Sequence, residues 1–160
     1  LPTTSTIMYG HVERPEHWAR HLLALRHLQG ETGGITEFVP LPYVHMESPM
    51  YRRGQSRKGP TWREALMMHA VARIALHGSI GSIQCSWVKL GLDGAAATLA
   101  AGANYLGGVL MNESISRAAG AAHGQELTVE NIVATAALVG RPVRQRTTLY
   151  GDVARVAEPA

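Results

Sequence analysis

Two histidines sit where side chains could meet a ligand. His11 follows the β-branched run Thr3 to Tyr9, and His45 follows Ile35 to Val39 and the pair Pro40 and Pro42. Carboxylates flank both. Glu13, Glu37, Glu47 and Glu113 could serve as general acids or bases, or could bind an amine. Glu37 is distinctive because it interrupts an apolar strand, where a carboxylate needs either a wet ligand pocket or an arginine partner. For His11 and His45 the alternatives are facing a ligand, or capping and packing a loop. Gly107 and Gly108, beside Asn112 and Glu113, could offer backbone N–H groups to an anion or carboxylate, or could serve only the local turn.

Other reactive residue types read more plainly. The eight histidines include no HxH, HExxH or comparable ligand spacing with carboxylates or with the single cysteine. His17 and His21 lie four apart on one helix without a third ligand, and His27, His69 and His77 show no evident chemistry. Cys85 alternates with polar neighbours as a small buried hydrophobe does. It cannot form an internal disulfide and cannot alone hold an iron–sulfur cluster.

The elements that position these groups follow from periodicity. Thr3 to Tyr9, Ile35 to Val39, Gly81 to Ser86 and Ala103 to Leu106 read as short β runs ending in polar, Gly or Pro residues. Helical stretches separate them, which is the pattern of βα units in a parallel sheet, with function at the strand ends. The central stretch is Gly81 to Gly91, a buried strand turning directly into a helix. Pro15 opens the first helix, whose Trp18, Leu22 and Leu25 share a face. The chain from Pro40 to Pro60 reads as a long binding loop or lid. Thr61-Trp-Arg-Glu64 is a capping box, followed by Leu66, Met67, Ala70, Val71 and Ile74 at helical spacing. Asp93 to Ala101 is an Ala-rich helix. After Ser114 to Ala122 a last helix begins at Thr128 and stops near Gly140, before a basic tail over 140–160, where Thr147 to Tyr150 adds a short extended piece.

With 160 residues, 46% of them apolar, the chain forms one domain, 1–160, with a core. That length is short for a closed eight-stranded barrel of about 250 residues, so the sequence reads as a piece of something larger or as a small open α/β domain. The formal charge of +3 owes much to Arg52, Arg53, Arg57 and Lys58. Without aromatic interleaving this is a solvated loop or an anion contact, and not a nucleic-acid surface. No stretch of 18 apolar residues and no leader pattern is present, so neither a membrane nor secretion is expected, and the location expected is cytoplasmic.

Five motifs carry a resemblance. Thr4-Ser-Thr-Ile-Met-Tyr-Gly-His-Val-Glu13, Gly34-Ile-Thr-Glu-Phe-Val-Pro-Leu-Pro-Tyr-Val-His45, Ile83-Gln-Cys-Ser-Trp-Val-Lys-Leu-Gly91, Leu106-Gly-Gly-Val-Leu-Met-Asn-Glu-Ser-Ile-Ser-Arg-Ala-Ala-Gly120 and Gly140-Arg-Pro-Val-Arg-Gln-Arg-Thr-Thr-Leu-Tyr-Gly151 resemble, in order, the strand ends of the deazaflavin-forming radical S-adenosylmethionine enzymes. The match is to the subunit or C-terminal half that couples tyrosine to the flavin precursor. Menaquinone-pathway relatives share the general pattern. The resemblance implies the C-terminal part of a (β/α)8 TIM-type radical barrel and a transferase of coenzyme F420 biosynthesis. A [4Fe–4S] cluster on CxxxCxxC and S-adenosyl-L-methionine would be its cofactors. L-Tyrosine and 5-amino-6-(D-ribitylamino)uracil would be its substrates, with a second radical half or subunit and an electron donor as partners.

CxxxCxxC is absent, so the chain by itself is expected to be inactive. A non-catalytic ligand-binding or partner domain is the reading from another class. Asn104-Tyr-Leu-Gly-Gly-Val109 also departs from the family's Asn-Asp-Leu-Gly-Gly-Thr, which puts Tyr105 where a carboxylate usually stands. By motif, the resemblance places Tyr9, His11, Glu13, Glu37, His45, Gln84, Ser86, Lys89, Asn104, Gly107 and Gly108 around the pocket.

Overall fold

The computed structural model describes residues 1–107, 114–123 and 126–153. Three parallel strands form its sheet in the order β1 (Thr3–Tyr9), β2 (Ile35–Pro42), β3 (Ser82–Ile83). Helices α1 (Pro15–Thr32) and α3 (Trp62–Ala75) connect them, so the βα alternation of the sequence becomes a sheet with flanking helices. Tyr9, Trp18, Leu22, Phe38, Met68, Leu76 and Ile83 form the main core, between the sheet and helices α1 and α3. A second cluster joins Cys85, Trp87, Leu99, Leu106 and Leu127 under α4 (Trp87–Ala100) and α6 (Val129–Ala137).

β2 continues through Pro40 and Pro42, beyond the expected stop at Val39. Backbone N–H groups alternate sides along a strand, and Tyr43 N donates to Tyr9 O on the β1 side at 2.8 Å. The two prolines therefore lack their N–H on the other side, where β3 has already ended after pairing with Glu37 and Phe38. The expected fourth strand is reduced to one bridge, Gln84 with Tyr105. The long loop contains a short helix, α2 (Pro49–Arg52), and the segment after Ser114 contains α5 (Ile115–Ala118).

The capping box of α3 is formed: Thr61 Oγ accepts from Glu64 N at 3.2 Å, and the Glu64 carboxylate accepts from Thr61 N at 2.6 Å. Replacing Thr61 with Ala should cost about 1 kcal/mol in urea unfolding. The apolar face of α3 differs from expectation, since Ala65, Met68, His69 and Ala72 are buried while Met67, Val71 and Ile74 are exposed. Small side chains let α3 lie close to the sheet, and the larger hydrophobes are left on the outer side. α4 is broken at Gly91 (φ 72°, ψ 178°), and Gly94 beyond the break lets the Trp62 ring approach its backbone.

Thr147 to Tyr150 is a turn rather than an extended piece, closed by Thr147 N to Gly151 O at 2.9 Å, with Tyr150 at φ 64°. The turn brings Arg146 and Tyr150 to the same carboxylate, that of Glu37. Among the described residues no helix is long and apolar enough to cross a membrane.

Candidate functional site

The C-terminal end of β1 is built around a carboxylate. Gly10 (φ 94°) turns the chain so that Glu13 folds back and accepts from Gly10 N, His11 N (3.0 Å), Val12 N (3.1 Å), Trp18 Nε1 (2.8 Å) and His11 Nδ1. Burial alone would raise the Glu13 pKa, but these donors outweigh it and hold the carboxyl down at about 2. The same carboxylate meets His11 Nδ1, which also lies 2.8 Å from Val12 N. The pair fixes an imidazole at a strand end, and Glu13 orients it rather than acting as the base.

A folded-state pKa near 2, against 4.5 for the free carboxyl, gives stability that is present above about pH 4.5 and is lost as pH falls towards 2. Acid titration of folding should therefore show a loss through that window. In Glu13→Gln the curve should be lower at neutral pH and flatter between pH 4.5 and 2.

The β2 end is laced to this turn. The Tyr43 ring lies 5.6 Å from that of His11, its hydroxyl meets Ser48 and Ser56, and Arg57 N donates to His11 O at 2.9 Å. The Arg57 guanidinium reaches Glu64 at 2.8 Å, so one member of the basic loop is spent on α3. Tyr43, His45, Met46, Trp62, Lys89 and His123 are among the residues lining a cavity of about 290 Å³ over these strand ends. The His45 ring packs edge-on against Tyr51 at 4.7 Å.

The structure thus brings His45 and Lys89 to one cavity, with His11 and Glu13 adjoining it through Tyr43. The other candidates lie elsewhere. Tyr9 is fully buried against Trp18, its hydroxyl has no partner among the described residues, and burial pushes its pKa up. Gln84 places its amide beneath Gly107 (φ 80°), where a Cβ would come within 2.9 Å of Nε2. Ser86 is buried, and its carbonyl accepts from Lys89 N at 3.0 Å. Asn104 staples β3 from below, accepting from Ile83 N at 2.8 Å and Arg73 at 2.7 Å and donating to Gly81 O at 3.1 Å. Gly108 lies outside the described residues, as do Asn112 and Glu113.

Glu37 pairs with an arginine. Arg146 Nη2 donates to it at 3.3 Å and the Tyr150 hydroxyl at 2.8 Å. The guanidinium lies between the Tyr105 ring at 4.1 Å and the Tyr150 ring at 3.7 Å. Tyr105 therefore supplies a stacking face, and the acid of this cluster comes from β2. Arg146 stands in the motif from Gly140 to Gly151, but its pairing with Glu37 has no local signal, and neither has the place of His123, because each is linked to its contact only through folding.

Among the described residues no group of three His, Cys, Asp or Glu side chains could hold an ion. His17 Nδ1 instead accepts from Arg14 N at 3.0 Å at the start of α1. The Cys85 thiol is fully buried, which pushes its pKa up to about 11 and disfavours the thiolate a metal requires.

Parallel βα units with polar side chains gathered at the C-terminal strand ends are those of a segment of a TIM-type α/β protein. The chain belongs to the family whose model is described as the CofH/MqnC C-terminal region, matched over residues 32–155. It is 55% identical over 159 residues to the FO synthase of Nocardia farcinica, covering 99% of this chain and 18% of that protein. The FO synthase of Mycobacterium tuberculosis is 55% identical over 154 residues, 96% of this chain and 18% of the relative. The 5-amino-6-(D-ribitylamino)uracil--L-tyrosine 4-hydroxyphenyl transferase of Methanopyrus kandleri is 51% identical over 153 residues, 96% of this chain and 42% of the relative. The chain thus spans less than half the length of these relatives.

Proposed function

We propose that this chain is the C-terminal part of a radical S-adenosylmethionine transferase that joins the hydroxybenzyl group of L-tyrosine to 5-amino-6-(D-ribitylamino)uracil, in the formation of a deazaflavin. The observation that carries this reading is the 51% identity to the Methanopyrus transferase over 153 residues, 96% of the chain. The residues present do not fit the [4Fe–4S] cluster such an enzyme uses, so the cluster would be held by residues outside this chain. What the chain contributes is a wall of the substrate site. His11, oriented by Glu13, presents an imidazole, and the cavity at His45 and Lys89 offers polar groups beside the apolar Trp62 and Leu90.

The full-length parent, reconstituted with its cluster, should form product only when both L-tyrosine and the ribitylaminouracil are supplied, detected by mass spectrometry. The 160-residue chain alone should form none. Turnover of a menaquinone-pathway substrate and not of tyrosine would assign the parent to the other branch of the family. Binding of ligand without turnover, even with an intact cluster-bearing half, would make it a non-catalytic partner domain.

A further inference from the structure

We propose that the tail from Arg141 to Val153 is a strap that closes the N-terminal end of the sheet's inner face, with Glu37 as its latch. This rests on the functional reading above and names the floor of the same substrate site. Phe38 packs in the main core with Leu22 of α1 and Met68 of α3, and side chains alternate along a strand, so Glu37 and Val39 face away from both helices. Register sets Thr4 of β1 and Ser82 of β3 beside Glu37. Its side chain is nevertheless only 8% exposed, because the tail lies over it. Thr6 and Met8, further along the same face of β1, remain exposed, so the cover is local.

The strap is tied down at both sides of the sheet. Arg141 Nη1 donates to Ala103 O at 2.8 Å, and Arg146 and Tyr150 reach Glu37 past Tyr105, the residue that bridges to Gln84. Between these ties the tail is folded on itself, with an antiparallel bridge from Arg146 to Asp152 and an ion pair from Arg144 to Asp152. Among the described residues Tyr150 is the one non-glycine residue at positive φ, a conformation that carries backbone strain. The turn from Thr147 to Gly151 holds it there, and the strained residue is the one whose hydroxyl meets a carboxylate 113 positions away. At about 3.3 Å per residue, β2 runs roughly 17 Å from Glu37 to Pro42. The strap therefore closes the end of the inner face opposite the His11 and Glu13 turn, and leaves the face between them open to a ligand.

The test is native-state hydrogen exchange of the full-length holoprotein, read by mass spectrometry. Tyr150→Phe keeps the ring and removes only the hydroxyl bond to Glu37. It should speed exchange of the strap by about tenfold or more, as expected for loss of a hydrogen bond to a charged group, and leave α1 and α3 unchanged. In the wild type, saturating L-tyrosine and 5-amino-6-(D-ribitylamino)uracil should slow exchange of the strap, and by reciprocity Tyr150→Phe should bind them more weakly. Unchanged strap exchange in Tyr150→Phe overturns the latch. Substrates that slow exchange at the strand ends but leave the strap unaffected show it to be structural only, which overturns the floor. Substrates that slow exchange nowhere overturn the functional reading, while the comparison of Tyr150→Phe with wild type still decides the latch.

Discussion

Gly10→Ala should destabilise the protein by at least about 3 kcal/mol, the largest effect expected of a methyl group added at any of the described glycines. Two costs combine there. The backbone is at φ 94°, and the added Cβ would overlap the Pro60 ring and backbone nitrogen and approach the Gly59 carbonyl carbon to 2.8 Å. Backbone and a proline ring cannot swing aside as a flexible side chain does. Moving Gly10 also withdraws its N–H from Glu13, which loosens the carboxylate that orients His11. Gly33→Ala is the control, because Gly33 has φ 62° with nothing within 4 Å of its Cβ position. That substitution pays only the left-handed backbone cost, about 1 kcal/mol. Urea unfolding of the full-length protein should separate the two variants clearly, and equal losses would show that the Pro60 contact relaxes.

Arg146→Ala should cost about 2–3 kcal/mol, because it leaves the Glu37 carboxylate buried with only the Tyr150 hydroxyl and removes the guanidinium from between two rings. Breaking a buried pair costs roughly 3–5 kcal/mol when both partners are sequestered. The Arg146 side chain is 22% exposed against 8% for Glu37, so the lower part of the scale applies. Arg146→Lys should recover only part of the loss, since an ammonium lacks the flat face that stacks on Tyr105 and Tyr150. The double variant Glu37→Leu with Arg146→Met should lie closer to wild type than Arg146→Ala, because no charge is then left buried and alone. If Arg146→Ala unfolds at the wild-type urea concentration, the tail contributes nothing to holding the sheet.

Much of this architecture is legible from local pattern. Strand β1, the start of α1 at Pro15, its buried face of Trp18, Leu22 and Leu25, and the Thr61 capping box each depend on residues within a few positions of one another. The strand-to-helix turn after Ile83 is equally local, as Ser86 precedes α4 directly. α3 shows the limit of periodicity. Its strongest hydrophobes, Met67, Val71 and Ile74, mark one face, yet the helix buries the face of Ala65, Met68 and Ala72, because close approach to the sheet is decided by side-chain size as well as by hydrophobicity.

By itself, then, the sequence determined the βα alternation, the starts of α1, α3 and α6, and, through motif resemblance, the family to which the chain belongs. Only the tertiary structure decided which candidate groups meet. Glu37 finds Arg146 across 109 residues and His123 settles on Gly91, pairings governed by the packing of distant segments and recorded in no local spacing. Pro40 and Pro42 remain in β2 for the same kind of reason, since the tolerance of a proline depends on whether the neighbouring strand still extends beside it.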